Sequence, residues 1–238
     1  REVLMQHTGG TVDLFANPNV PNIAMYGYSI EMLPNNIAAF GDASPKTRMD
    51  DFTRAYANEV LNLGQPHYLS NLKISAGQAG NDAPLAKAVL QLFANPQPVA
   101  GNVVNKIGII GLQSFFESVG VLVSRPALGG KLAVSIKAGG NGSHSHNDVG
   151  SYTVGLGVEQ PTGDVGTTRY SAKTFSKDRY TIPGINSWGH PVPLVAGKQQ
   201  LQSTTIKPRV ISTKFSDSAD EITINMADAY SVPSLRSL

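Results

Sequence analysis

Two hydrophobic periods divide the chain near Ala100. Before it, residues 51–63 read DFTRAYANEVLNL, which puts Phe52, Ala55, Tyr56, Val60 and Leu63 on one face of a 3.6-residue repeat. Gly64 then stands where a helix C-terminal cap is expected. A second helix is predicted over DAPLAKAVLQLF, with Asp82 as N-terminal cap, Pro84 in the first turn, and Leu85, Val89, Leu92 and Phe93 as its buried stripe. Ahead of both, Arg1 to Pro45 mixes Gly, Pro and Asn with short apolar pieces such as NIAMYGYSIEML, which predicts loops with at most short helices.

After Ala100 the period becomes two. Leu132, Val134 and Ile136 alternate with Ala133, Ser135 and Lys137; Tyr152, Val154 and Leu156 alternate with Thr153 and Gly155; Ile222, Ile224 and Met226 alternate with Thr223 and Asn225. Each run predicts a strand whose apolar face is buried. Breaks at RPALGGK, EQPTGDVG, PVPLVAGK and SDSADE supply turns, so the expected fold is mixed but mainly β: antiparallel sheets stacked as a sandwich over residues 101–238, preceded by a mainly helical and loop segment over 1–100. The 24 glycines and 15 prolines agree with a turn-rich β architecture.

The 238 residues, 41% of them hydrophobic, suffice for one large core or two small ones. No stretch approaches the ~18 uninterrupted apolar residues of a membrane span. The chain opens at REVLMQHTGG, without an initiator Met or a basic-then-apolar leader, so it is expected to start inside a longer protein. A net charge of +2, spread rather than blocked, offers no nucleic-acid stripe and no membrane-surface helix. With no cysteine, disulfides and thiolate metal sites are excluded, leaving His and carboxylates as strong ligands.

The densest chemistry lies in GGNGSHSHNDVG, residues 139–150. If this segment enters a strand extended, His144 and His146 point to one side and can reach a shared point. A bare His-x-His is equally a polar loop with two solvated imidazoles. Asp164 in TGDVG and His190 in NSWGHPVP sit in turn-like sequence and could instead serve an Asx turn and a turn cap. HSHND also begins like the zinc signature of metallo-β-lactamase-like hydrolases, but Val149 stands where the final His is needed; a cupin would want a Glu near Gly150 and Ser151.

Four motifs in unbroken order resemble the heparinase II/III-like family of polysaccharide lyases: QSFFESVGVLVSRP (113–126), KAGGNGSHSHNDVGSY (137–152), TGDVGTTRYSAKTFSKDRY (162–180) and INSWGHPVPLVAGKQQ (185–200). Upstream, MLPNNIAAFGDASP (32–45) resembles the segment near the end of that family's helical domain. The resemblance implies the tail of an α/α toroid followed by an antiparallel β-sandwich, incomplete at the C-terminus because the family pattern continues past the strand ending near Ala227. It implies a structural divalent metal, zinc by its ligand types, on His146, Asp164 and His190, and an anionic, uronate-containing polysaccharide as substrate, cleaved by β-elimination. His144 is then expected at the uronate carboxylate, where a developing charge must be met by donors. Tyr170 or Tyr180 would be the proton-transfer tyrosine, and Asn147 and Arg179 would contact substrate. Each tyrosine could as well be a half-buried sandwich residue, and Asp148 is expected to organise the loop or orient a His nitrogen.

The family's principal catalytic tyrosine would lie upstream of Arg1, so this chain alone is expected to be inactive. A periplasmic or secreted location and a homo-oligomer fit the family. The reading from another class is a non-catalytic, metal-stabilised β-sandwich module for glycan binding or assembly.

Overall fold

A computed structural model of the chain describes residues 1–44, 51–66, 68–71, 110–140, 144, 146–202, 206 and 209–236. The helix expected over residues 82–93 lies outside them. The chain separates into two compact units, one of Arg1–Tyr28 with Met49–Ile109, the other of Ser29–Arg48 with Ile110–Leu238. The expected division near Ala100 left Ser29–Arg48 with the helical part; the fold groups it with the β unit.

Among the described residues, the helical part of the chain holds α1 (Glu2–His7), α2 (Val20–Ser29) and α3 (Asp51–Leu61). Pro21 occupies the first turn of α2, where its missing N–H costs nothing. α3 forms on the predicted stripe and buries Ala55, Val60 and Leu61. Its end differs from expectation. Asn62 takes the left-handed conformation (φ 52°) two residues before Gly64, because the Asn58 side chain accepts from the Gln65 amide at 2.8 Å and donates to the Gln65 carbonyl at 3.0 Å, closing the turn early.

The second unit is built on antiparallel sheets. β1 (Glu31–Leu33) and β2 (Asn36–Ile37) form a small hairpin turned at Asn35 (φ 60°). β3 (Gln113–Phe116), β4 (Val121–Ser124), β5 (Leu132–Lys137), β6 (Tyr152–Leu156) and β7 (Glu159–Gly163) pair in chain order as a five-stranded meander. β8 (Arg209–Phe215) and β9 (Asp220–Asn225) make a separate hairpin. No barrel closes.

The strands lie where the alternation predicts, yet β5 and β6 bury the other face. Ala133, Ser135, Lys137, Thr153 and Gly155 are covered, while Leu132 and Leu156, which pair with each other, are 57% and 48% exposed. The cause is close packing by the first hairpin. Met32 and Leu33 form a core with Val123 and Ala133, and a Cβ on Gly155 would meet Met32 Cε at 3.0 Å and Asn36 Nδ2 at 3.1 Å. Only small residues admit such an approach. Asn36 fixes the hairpin by donating to the Gly157 and Glu159 carbonyls at 3.0 and 2.8 Å.

The opposite, apolar face is met at its β3–β4 end by the tip of the last hairpin. Phe115 and Phe215 have ring centroids 5.8 Å apart, Gln113 donates to the Ser216 carbonyl at 2.8 Å, and Ser124 to Asp220 at 2.5 Å. In that hairpin the expected alternation holds, with Ile222 and Ile224 half-buried and Glu221 and Thr223 exposed.

Candidate metal centre and adjoining polar face

Three loops of the β unit carry the site. Residues 146–151 lie at the end of the connection from β5 to β6, Asp164 directly follows β7, and His190 ends a 3-10 turn, Ser187–Gly189, capped by the Asn186 side chain. Backbone and side chain together lock the first loop to the third. The Asn147 amide donates to the Ile185 carbonyl at 2.9 Å, and Ser187 Oγ donates to the Asn147 carbonyl at 3.0 Å. The Gln200 side chain accepts from the Val149 amide at 2.9 Å and donates to its carbonyl at 2.8 Å, as a neighbouring strand would. Gly150 turns at φ 83° beneath Met226, whose Sδ lies where a Cβ would be.

This frame brings His146, Asp148 and His190 together, all buried, each offering a ligand atom within 4.8 Å of the other two. Each side chain has one polar atom occupied and one left over. His146 Nε2 faces Asp42 Oδ1 at 3.3 Å, His190 Nδ1 donates to Asp164 Oδ2 at 2.9 Å, and Asp148 Oδ1 pairs with Lys137 Nζ. His146 Nδ1, His190 Nε2 and Asp148 Oδ2 are buried with no hydrogen-bond partner among the described residues. Three orphaned atoms in one place would be costly if nothing met them. Two imidazole nitrogens and one carboxylate oxygen suit zinc, and a carboxylate behind each ring is the arrangement that orients ligating histidines. The residues therefore fit a metal ion.

The carboxylate in this group is not the expected one. Asp164 stands behind His190, with Oδ2 also accepting from Ser151 Oγ at 2.5 Å and Oδ1 accepting from the Gly166 amide at 2.8 Å, so both oxygens are engaged. Burial pushes its carboxyl up, but these bonds outweigh that and hold it below the ordinary carboxylate range. Burial, with His190 alongside, depresses His146 despite the opposing pull of Asp148 and Asp42, so its ring is neutral, as a ligand must be.

Outside the buried group lies a polar face centred on Asp42. Its Oδ2 takes His144 Nδ1 at 2.6 Å and the Tyr170 hydroxyl at 2.9 Å, and Arg179 reaches its Oδ1 at 3.7 Å. Burial raises the Asp42 carboxyl, yet His144, Tyr170, His146 and Arg179 together keep it below its usual value. Hydrogen bonding to Asp42 raises the Tyr170 hydroxyl, so that tyrosine keeps its proton. Phe175, 61% exposed, packs edge-on against both the His144 ring (centroids 5.0 Å) and the Tyr170 ring (5.2 Å), under the Arg179 guanidinium.

His144 and His146 do not share a strand face. His144 adopts a left-handed backbone (φ 62°) and is exposed, whereas His146 is buried, and Asp42 joins them by giving one oxygen to each. Gly41 (φ 58°) permits this, since a Cβ there would press to 3.2 Å from the His144 carbonyl. Asn147, expected at the substrate, is 1% exposed and donates to the Gln200 carbonyl at 3.2 Å, so it ties loops together. Tyr180 is half-buried beside Arg179; Tyr170 is the tyrosine that meets Asp42. Arg179 is buried and donates to the Thr174 carbonyl at 2.6 Å. Sequence reasoning missed Asp42, Lys137 and Phe175 as site residues. The Gly-Asp pair in FGDASP was the available signal for the first.

The chain matches no protein-family model and no curated protein. Among the described residues, no helix is long and apolar enough to cross a membrane.

Proposed function

We propose that the protein is a polysaccharide lyase of the heparinase II/III type, cleaving a uronate-containing glycan by abstraction of the C5 proton and elimination of the C4 oxygen. The observation that carries this is the Asp42 cluster: an imidazole and a protonated phenol held on one carboxylate at 2.6 and 2.9 Å, exposed, and flanked by an exposed aromatic ring. Beta-elimination needs such a pair. The C5 proton passes to a general base that the resemblance puts in the family's helical domain, and His144 meets the uronate carboxylate and the negative charge that develops on it. Tyr170, kept protonated by its bond to Asp42, gives its proton to O4 as the C4–O bond breaks and the C4–C5 double bond forms. Phe175 offers a face for a sugar ring, and against burial the hydrogen bonds from His144, Tyr170 and His146, with Arg179 adding to them, hold the Asp42 carboxyl below its usual value. His146, Asp148 and His190 would hold a divalent metal, zinc by donor type, which when bound pins three loops together and stays off the sugar.

Release of a 4,5-unsaturated uronate, followed by its ultraviolet absorbance when the zinc-loaded full-length protein meets oligouronates, tests the reading. Products lacking that unsaturation would replace the lyase with a hydrolase. A second reading, a metal-stabilised glycan-binding module in the periplasm or outside the cell, is favoured by the exposure of Tyr170, Phe175 and Trp188 on one segment of chain, the usual makeup of a sugar-stacking surface. Binding of the oligouronate with no cleavage would select it.

A further inference from the structure

The buried group and the exposed cluster share a single side chain. Asp42 sits at the boundary, its side chain 16% exposed, with Oδ1 toward His146 Nε2 and Oδ2 toward His144 Nδ1 and Tyr170. It comes from the segment after the first hairpin, more than a hundred residues from both histidines. Every group around it donates: two imidazoles, a phenol and a guanidinium. A single carboxylate cannot move toward one of these without drawing away from another.

We propose that Asp42 is a positioning residue that couples metal occupancy at His146 to the geometry of His144 and Tyr170. The inference rests on the metal reading of the buried group and, for its use in catalysis, on the lyase reading. A cation on His146 Nδ1 leaves the ring proton on Nε2 and draws electron density from the ring, which makes that N–H a stronger donor to Asp42 Oδ1. The contact is long, 3.3 Å, and has room to tighten. Tightening it fixes the carboxylate plane, and with it the direction in which Oδ2 holds His144 and Tyr170. The metal thus acts on the exposed face without touching a substrate. The coupling is reciprocal: whatever orders His144 and Tyr170 also favours the metal.

The test uses zinc alone and needs no substrate. In this chain with 15N-labelled histidine, zinc is expected to shift the His146 and His190 ring resonances, and also those of His144, which binds no metal. Asp42→Asn is expected to bind zinc roughly 10- to 100-fold more weakly and, at saturating zinc, to leave the His144 resonances unmoved. If Asp42→Asn does not fold, wild type still decides, since a His144 signal indifferent to zinc overturns the coupling. So does a His144 response of equal size in wild type and Asp42→Asn. The lyase reading stands or falls separately, on the unsaturated product.

Discussion

At the residue scale, the two carboxylates near His190 have different duties, and substitution separates them. Asp148→Asn removes the charged ligand oxygen from the buried group, while Asp164→Asn leaves the ligand atoms in place and loosens only the support behind His190 Nδ1. Zinc affinity measured by competition with a chelating dye is expected to fall roughly 10- to 100-fold in Asp164→Asn and further in Asp148→Asn; the reverse order would restore Asp164 as the ligand. In the full-length protein, Tyr170→Phe is expected to keep zinc and melting temperature and to lose turnover, by roughly 100-fold or more if it is the proton donor. Tyr180→Phe should lose far less. The convergence of His146 and His190 with an aspartate was legible only through the family resemblance, since their glycine-flanked settings alone also suit a polar loop and a turn cap. Which carboxylate faces the rings was not, because it depends on Lys137 and Ser151 each claiming a carboxylate from elsewhere in the fold.

At the element scale, strand positions in the β unit were legible and strand faces were not. Period-two alternation marks β5, β6 and β9 correctly, but the covered side of β5 and β6 is the one with Ala133, Thr153 and Gly155. Hydrophobicity alone favours Leu132 and Leu156 as core; the tight approach of β1 and β2 demands small residues and decides otherwise. Met32→Ala is therefore expected to cost about 2–5 kcal/mol in urea unfolding of the β unit. Leu132→Ser should stay within about 0.5 kcal/mol of wild type. Equal costs would mean that the apolar face is covered in solution. Because the hairpin leads directly into Gly41 and Asp42, Met32→Ala should also weaken zinc binding, measured by the same dye competition.

At the scale of the whole molecule, a metal held by His146, Asp148 and His190 would tie three loops of one compact unit, so the account expects its stabilisation to fall on that unit. Chelation is expected to lower the melting transition of the β unit and leave that of the helical unit in place, with a free-energy difference of about 4 kcal/mol when zinc stands at a thousand times its dissociation constant. Differential scanning calorimetry with and without chelator reads both transitions. The antiparallel sheets of this mixed fold were legible from turn spacing and alternation. The membership of Ser29–Arg48 in the β unit was not, since nothing local in LPNNIAAFGD announces the Val123 and Ala133 surface that receives it.

The central claim, that a buried His-Asp-His group holds a metal behind an exposed catalytic face, is tested most directly by a crystal structure of the zinc-loaded protein with anomalous data at the zinc edge. The account predicts one peak bonded to His146 Nδ1, Asp148 Oδ2 and His190 Nε2, with Asp42 and Asp164 behind the two rings and His144 clear of the ion. No peak there, or a peak bonded to His144, would contradict it.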